Sequence, residues 1–393
     1  MSGADDLVTS DARVREIARE IADAGELFFD LEFVSEARLI PELALVQVAW
    51  GDLVTPEVAM LDCLAVNPAP IFELVEDEAM PTVAHAAIQD LGLLATRFEV
   101  RARHFWDTQV AAAFCGVGDQ IGYGGLIKSL VGVELDKGAQ FTAWLERPLS
   151  ERQLAYARCD VFYLPRAWHE LEQRLEARGR LSWVEAECEE VAAGATGLPD
   201  PQEAFRTLKG WKGLDPRQLG TLRALAAWRQ ETAVAKNKPL SWVLPERAMI
   251  ELCRRRARSP RDLESVRGVG PGTVRRYGAD ILEAMARGAA EPVDAPRPRR
   301  GEPSSRGQLW TQIVLGIVQS RCAEAEIAPR FVGTRADAEA LVGWFEAGAD
   351  GDPDLALLRG WRRELVGDDL LAWLRGEKAV VATTDGAGAV TLK

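Results

Sequence analysis

Apolar and polar positions alternate over short runs in the first third of the chain, and this pattern predicts β-strands. The strand-like runs are LFFDLEF (27–33), LALVQVAW (43–50) and VAMLDC (58–63), each bounded by turn-rich segments. Amphipathic helical spacing follows near 88–97, 107–115 and 150–176. Strands followed by interleaved strand and helix predict an α/β domain over residues 1–200, with a mixed sheet and flanking helices.

The rear of the chain has a different pattern. AAGATGLPDPQ (192–202) is small, Gly-bearing and Pro-bearing, and predicts a linker. The pattern predicts that residues 205–290 are nearly all helix and that 308–381 form short helices. Between them, EPVDAPRPRRGEPSSRG (291–307) predicts a second linker. We therefore expect two small all-α domains behind the α/β domain.

Composition narrows the class of protein and of metal site. No run approaches the ~20 apolar residues that cross a bilayer, and the N-terminus lacks the apolar core of a signal peptide, so we expect a cytoplasmic protein without a membrane partner. Its six cysteines form no C-x-x-C pair, and it has only three histidines. A metal would therefore be held mainly by carboxylates, which suit Mg²⁺ or Mn²⁺.

Charge is unevenly distributed along the chain. The net charge is −13, made up of −19 over residues 1–200, +10 over 201–300 and −4 over 301–393. One interpretation is a separate basic module that faces a polyanion. The other is an acidic protein with one solvated basic face.

Four acids and one tyrosine are candidates for chemistry. Asp30 and Glu32 share one strand face, which fits either a bound cation or a water-exposed edge. Tyr156 and Asp160, four apart in a helical stretch, share one helix face, as they would in any amphipathic helix. Asp90 begins a helix, where it is either a ligand or a partner of the helix N-terminus.

Taken in order, these elements resemble a known family. The motifs are F-D-x-E-F with a following Q-V strand, H-A-x-x-Q-D-L, F-W-D-T-Q-x-A-A, and W-L-E-R-P-L-S-x-x-Q-L-x-Y-A-x-x-D-V-x-Y-L. Together they resemble the exonuclease domain of the ribonuclease D family, a ribonuclease H-like fold of the DEDD exonucleases in their tyrosine subtype. The resemblance covers roughly residues 25–190 and is most specific from Trp144 to Leu164.

The resemblance implies a role for each candidate. The metal-binding acids fall on Asp30, Glu32, Asp90 and Asp160, and Tyr156 matches the tyrosine that positions the attacking water. It implies two divalent ions, Mg²⁺ or Mn²⁺, and 3′→5′ hydrolysis of RNA with a free 3′ end, such as tRNA precursors and other small structured RNAs, releasing nucleoside 5′-monophosphates.

Three neighbouring positions have other expected roles. Leu31 stands where the family usually has Thr, and it should point into the opposite face of the strand as a packing change. Asp107 is expected to be structural or to support the site, and His85 to pack and hydrogen-bond. The run GVGDQIGYGG (116–125) contains G-x-G but follows a helix, so it predicts a loop and no nucleotide cofactor.

The helical rear also resembles known domains. W-R-x-x-x-A, K-N-K-P, L-P-E-R and R-Y-G-x-x-I-L resemble the HRDC domain, and G-W-R-x-E-x-x-G resembles the second such domain of ribonuclease D. We expect RNA contacts from an arginine cluster in the first domain, since arginines near Gly-rich turns suit phosphates. Its members are Arg254, Arg255, Arg256, Arg258, Arg275 and Arg276. A solvated helix end stabilised by cations is the alternative.

Two other functions stay open at this point. The first is a DNA 3′→5′ exonuclease of the Werner type, and the second is a non-catalytic RNA-binding protein on the same fold. The match through both rear domains favours ribonuclease D over the first, and the intact acids with Tyr156 argue against the second. The preferred RNA, the choice between Mg²⁺ and Mn²⁺ and the oligomeric state are not determined by the sequence.

Overall fold

The computed structural model describes residues 7–135, 142–294, 304–349, 351, 353–383 and 387–393. Its front half contains one mixed sheet. The six strands are β1 (Leu7–Val8), β2 (Leu27–Val34), β3 (Glu42–Trp50), β4 (Glu57–Asp62), β5 (Thr82–Ala84) and β6 (Phe105–Asp107). The three long strands lie within a residue or two of the predicted runs, because alternation identifies half-buried strands directly.

The strands are ordered β1-β4-β3-β2-β5-β6, with β2, β3 and β4 antiparallel and the remaining pairs parallel. β2 therefore lies near the centre of the sheet. Asp30 lies opposite Gln47 and Glu32 opposite Leu45 on β3, and the register shifts between Glu32 and Phe33. This irregularity ends regular pairing just after the second acid.

Eight helices flank this sheet, as predicted for the α/β domain. They are α1 (Asp11–Ala24), α2 (Ala69–Val75), α3 (Ile88–Leu93), α4 (Thr108–Phe114), α5 (Tyr123–Leu130), α6 (Glu151–Phe162), α7 (Leu164–Ala177) and α8 (Leu181–Gly194). A π-helical turn, Leu94–Phe98, extends α3.

Three boundaries in this half differ from the sequence prediction. The helix predicted over 150–176 is interrupted at Tyr163, where α6 ends and α7 begins. The predicted 116–125 loop ends at Gly122, because α5 starts at Tyr123. The predicted 192–202 linker begins inside α8, whose last turn continues to Gly194.

The first helical block has a hydrophobic core of its own. Its helices are α9 (Pro216–Lys236), α10 (Leu240–Val243), α11 (Glu246–Arg255), α12 (Pro260–Glu264) and α13 (Pro271–Ala290), preceded by 3₁₀ turns at Ala204–Thr207 and Trp211–Gly213. Helices α9 and α13 cross closely, since a Cβ on Gly288 would lie 2.4 Å from the Gly220 carbonyl oxygen. Glycine at both positions permits this approach.

The last block packs onto the front half. Its elements are α14 (Ser305–Ala325), α15 (Pro329–Val332), α16 (Arg335–Glu346), α17 (Gly360–Arg362), α18 (Asp368–Leu374), and a hairpin of β7 (Val380–Ala382) and β8 (Val390–Leu392). Two short helical segments, Ala356–Leu358 and Arg363–Gly367, flank α17.

Contacts between aromatic side chains join this block to the sheet domain. Trp361 lies 5.1 Å from Phe114 and 5.2 Å from Trp183, measured between ring centroids. The buried Glu187 carboxylate accepts hydrogen bonds from Trp361 Nε1 at 3.0 Å and from an Arg362 guanidinium nitrogen at 2.8 Å. The two blocks therefore share one continuous hydrophobic core.

The rear differs from the sequence prediction in three ways. The block predicted to contain short helices begins with the 21-residue α14, and it ends in a hairpin that was not predicted. The predicted 291–307 linker is shorter, because α14 starts at Ser305, and its residues 295–303 lie outside the described residues. The division into domains at 1–200, 205–290 and 308–381 stays a prediction.

No helix in the described ranges is both long enough and apolar enough to span a bilayer.

Candidate active site

Strand β2 presents two carboxylates to one side of the sheet. Phe29 and Leu31 point the other way and are buried in the core, at 2% and 5% exposure, so alternation directs Asp30 and Glu32 to the opposite face. Leu31 thus takes the packing position expected of it. Asp30 and Glu32 are partly buried, and Glu32 lines a cleft.

Helix α6 covers that face and supplies the next two side chains. Its start is fixed by a capping box, in which Ser150 and Gln153 satisfy each other's backbone N–H groups. Leu154 and Ala157 are buried against the sheet. Tyr156 and Asp160, four residues apart, share one face of α6. Asp160 lies against the acids of β2, and Tyr156 lines the same cleft as Glu32.

Three carboxylates form a compact group. Ligand oxygens of Asp30, Glu32 and Asp160 all lie within 4.8 Å of one another. Unpaired negative charges at this spacing repel strongly, and a divalent cation is the usual compensation. Distant parts of the sequence therefore meet to make an oxygen-only donor set.

Asp90 lies beside this group without joining its tightest part. It occupies the first turn of α3 and is 8% exposed. Burial raises the pKa of Asp90 well above its ordinary value, and the charges of Asp30 and Glu32 raise it further. Asp90 therefore interacts electrostatically with both Asp30 and Glu32.

Burial and mutual repulsion keep protons on these carboxyl groups. Burial is the main cause that raises the pKa of Asp30 to about 7. Burial, followed by the negative charge of Asp30, raises the pKa of Glu32 to about 9 and that of Asp160 to about 9. A cation would reverse these shifts by favouring the ionised forms.

The donor set fits hard divalent ions. All candidate ligands are carboxylate oxygens, which suit Mg²⁺ and Mn²⁺. The buried Oδ2 of Asp160 has no hydrogen-bond partner among the described residues, and neither does the side-chain amide of Gln47, which is 0% exposed and lies opposite Asp30. Buried polar atoms without partners at such a site are what a bound ion or its water would satisfy.

Tyr156 presents a protonated hydroxyl beside these acids. Burial raises the pKa of Tyr156 far above its ordinary value, and the charges of Asp160, Glu32 and Asp30 raise it further. The phenol therefore keeps its proton at neutral pH. Its ring lies 6.2 Å from that of Trp144, between centroids, which holds it in place.

Asp107 and His85 support the structure around these groups. The Asp107 carboxylate accepts hydrogen bonds from the backbone N–H groups of Ala86, Ala87 and Gln109, at 2.9, 3.0 and 2.8 Å. His85 Nδ1 lies 2.9 Å from the Thr108 hydroxyl oxygen. Asp107 thus ties the loop before α3, and hence Asp90, to the end of the sheet.

A cleft of 820 Å³ reaches the group of acids at Glu32. Its lining includes Glu32, Gln89, Trp144 and Tyr156, and its volume lies in the range of small-molecule sites, roughly 300–1,000 Å³. No role was predicted from the sequence for Gln47, Gln89 or Trp144. Each lies inside one of the sequence motifs given above, and membership of a motif is the only sequence feature that marks these residues.

The six arginines lie on the surface of the first helical block. All are exposed. Arg255 pairs with Glu251 at 2.6 Å and Arg256 with Asp215 at 2.9 Å. Arg256 and Arg258 line a separate cavity of 440 Å³ with Arg217. Their role in RNA binding stays a prediction.

Known proteins match this chain over most of its length. A family model described as 3′-5′ exonuclease matches residues 6–176, and the HRDC domain model matches 218–285. Ribonuclease D of Gluconacetobacter diazotrophicus is 36% identical over 374 residues, which cover 93% of this chain and 92% of that protein. Ribonuclease D of Pseudomonas paraeruginosa is 33% identical, with 93% and 96% coverage. The chain belongs to the ribonuclease D family.

A solved structure agrees over the full length. Escherichia coli RNase D superimposes with a TM-score of 0.82 at 25% identity, covering 94% of this chain and 98% of that one. This member of the ribonuclease D family is therefore a hydrolytic 3′→5′ exoribonuclease that acts on RNA. The full-length match decides against the Werner-type and non-catalytic alternatives, and it confirms the α/β exonuclease fold with a helical HRDC rear. Such exonucleases use divalent metals, for which the acidic group is suited.

Proposed function

We propose that this exoribonuclease trims the 3′ ends of small structured RNAs, tRNA precursors among them, using two divalent ions held by Asp30, Glu32, Asp90 and Asp160. The proposal rests on the compact group of Asp30, Glu32 and Asp160, of which Glu32 lines an open cleft. Escherichia coli RNase D is described as an exoribonuclease involved in structured RNA processing, which supports this substrate class.

When bound, the ions would supply an activated water and relieve the charge on the departing 3′ oxygen. Asp30 would hold the ions together with Glu32 and Asp160, whose ligand oxygens lie within 4.8 Å of its own, and Asp90 would complete the set from the first turn of α3. The Tyr156 hydroxyl stays protonated, so it can donate toward Asp160 and accept a hydrogen bond from the attacking water. Tyr156 would orient this water without removing its proton.

The cleft of 820 Å³ is large enough to hold the terminal nucleotide of an RNA chain. Trp144 and Gln89 line the same cavity as Glu32 and Tyr156. A terminal nucleotide seated there would place its phosphodiester at the acids, and the product would be a nucleoside 5′-monophosphate. The cytoplasmic location and the choice between Mg²⁺ and Mn²⁺ stay predictions.

The test uses a tRNA precursor with a 3′ extension and a DNA strand of matched sequence, each labelled at the 5′ end. With Mg²⁺ or Mn²⁺ the RNA should shorten in one-nucleotide steps, and with a chelator it should stay intact. Asp30→Asn is the inactive comparison, and Glu57→Gln, an exposed acid on β4, is the matched control. An unchanged RNA in the presence of metal would contradict the proposal, and faster loss of the DNA would contradict the substrate class.

A further inference from the structure

Trp242 is a large apolar side chain left in water. It is 62% exposed, whereas the next two residues, Val243 and Leu244, are buried at 1% and 0%. Trp242 lies in α10, a single turn whose backbone is fixed by hydrogen bonds from Trp242 N–H to the Pro239 carbonyl at 2.9 Å and from Leu244 N–H to the Leu240 carbonyl at 3.1 Å. The anchored turn thus holds the indole outward in a defined position.

One lysine lies beside this ring, and a second lysine, two positions earlier in the chain, lies beside Tyr277. The Lys238 ammonium lies 5.7 Å from the centroid of the Trp242 ring, and the Lys236 ammonium lies 4.9 Å from that of Tyr277. Both lysines are exposed, and neither has a carboxylate ion-pair partner among the described residues. An exposed aromatic ring beside unneutralised cations is the composition of a single-strand binding surface, where bases stack and phosphates meet cations.

The same turn is tied to the active-site half of the molecule. Between the two lysines, the side-chain oxygen of Asn237 accepts hydrogen bonds from the backbone N–H groups of Leu39 and Ile40, at 3.1 and 2.9 Å. These residues belong to the segment between β2, which carries Asp30 and Glu32, and β3. Leu39 also packs against the core of the first helical block.

That segment begins at the rim of the cleft. Ser35 and Glu36 line the 820 Å³ cavity together with Glu32 and Tyr156. A single short loop therefore runs from the cleft rim to the foot of the turn that carries Trp242. The loop thus connects the entrance of the site to the segment that carries Trp242.

We propose that Trp242, Lys236 and Lys238 form a docking surface for single-stranded RNA that leads toward the cleft. This inference rests on the proposed function and adds a second point of contact to it. The indole stacks on a base, and the two ammonium groups contact neighbouring phosphates. RNA is favoured over a protein partner because the flanking side chains are cationic and the surrounding segment, residues 201–300, carries +10 in an otherwise acidic chain.

The test measures binding of a fluorescent single-stranded oligoadenylate by anisotropy, with a chelator present so that no RNA is cut. Trp242→Ala should raise Kd roughly 5- to 150-fold, the range expected for loss of one stacked base, and Trp242→Tyr should restore most of the affinity. Lys238→Gln should reduce the salt dependence of log K by about 0.7. Leu309→Ala, which removes a side chain that is 67% exposed on the acidic last block, is the control and should leave Kd unchanged.

Unchanged affinity of a folded Trp242→Ala protein would overturn the inference. So would unchanged affinity combined with a lower sedimentation coefficient, which would assign Trp242 to a contact between protein chains. Failure of the proposed function has a different signature, since the parent protein would then bind oligoadenylate but cut no RNA when metal is added.

Discussion

Asp30 and Gln47 lie directly opposite each other on β2 and β3, with Gln47 fully buried and its amide without a partner among the described residues. Residues paired in this way share one face, with Cβ atoms roughly 5 Å apart. A polar group buried without a hydrogen bond costs about 1–3 kcal/mol. The fold therefore retains an unfavourable amide next to its central acid.

We expect Gln47→Met to separate stability from metal binding. Without metal, the variant should be more stable than the parent by about 1–3 kcal/mol, because the unsatisfied amide is gone. The gain in unfolding temperature on adding Mg²⁺ should be smaller than in the parent, since the amide can no longer support Asp30 or its water. Thermal unfolding with and without Mg²⁺ measures both effects. An equal gain in both proteins would show that the amide has no link to the site.

Tyr156→Phe removes the hydroxyl and keeps the ring against Trp144. The single-turnover rate at saturating RNA should fall by ~10²–10⁴-fold, the usual contribution of one positioned acid–base group. The increase in unfolding temperature caused by Mg²⁺ should not change, because the hydroxyl contacts water rather than the ion. A parental rate would instead assign Tyr156 to packing.

Stabilisation by metal should depend on pH. The pKa of Asp30 is raised from 3.8 to about 7, and the pKa values of Glu32 and Asp160 are raised to about 9. A carboxyl group whose pKa is raised in the folded protein favours folding while it is protonated. Without metal, this contribution to stability is fully present below the unfolded-state pKa, and it is lost as pH rises through the folded-state pKa. Metal must displace these protons. The Mg²⁺-induced rise in unfolding temperature should therefore be larger near pH 9 than near pH 6, and a larger rise near pH 6 would contradict this assignment.

The arginine cluster should contribute unequally to RNA binding. Arg255 and Arg256 are paired with Glu251 and Asp215, whereas Arg254 and Arg258 have no ion pair among the described residues. The double variant Arg254→Ala with Arg258→Ala should therefore weaken binding and flatten its salt dependence more than Arg255→Ala with Arg256→Ala. Each lost phosphate contact changes the slope of log K against log salt by about 0.7 for single strands. Parental affinity and slope in both variants would make the cluster a solvated surface.

Local patterns account for what the sequence predicted well. Alternation located the three long strands, and the motifs brought Asp30, Glu32 and Asp160 into one group although 128 positions separate Glu32 from Asp160. Helical spacing predicted α6 and the shared face of Tyr156 and Asp160. The strands and α6 could be predicted because they depend on local periodicity. The grouping of the acids could be predicted because the family resemblance implies it.

Non-local packing accounts for what the sequence missed. The stacking of Trp361 on Trp183 and the buried bonds to Glu187 join the last block to the sheet domain, and no local pattern marks such pairs. The bonds from Leu39 and Ile40 to Asn237 join positions nearly 200 residues apart. A tryptophan in a helical stretch is usually expected to be largely buried. Trp242 is exposed because its neighbours Val243 and Leu244 occupy the buried side of the turn.

Asp30 is proposed to be a required ligand of a metal-dependent hydrolytic site. The most direct measurement is the single-turnover hydrolysis of a 5′-labelled, 3′-extended RNA by Asp30→Asn in saturating Mg²⁺, with circular dichroism and RNA affinity measured on the same preparation. We predict parental fold and affinity with no ladder of shortened products, while Glu57→Gln yields the parental ladder. A folded Asp30→Asn protein that shortens the RNA at a near-parental rate would show that Asp30 is not required for hydrolysis.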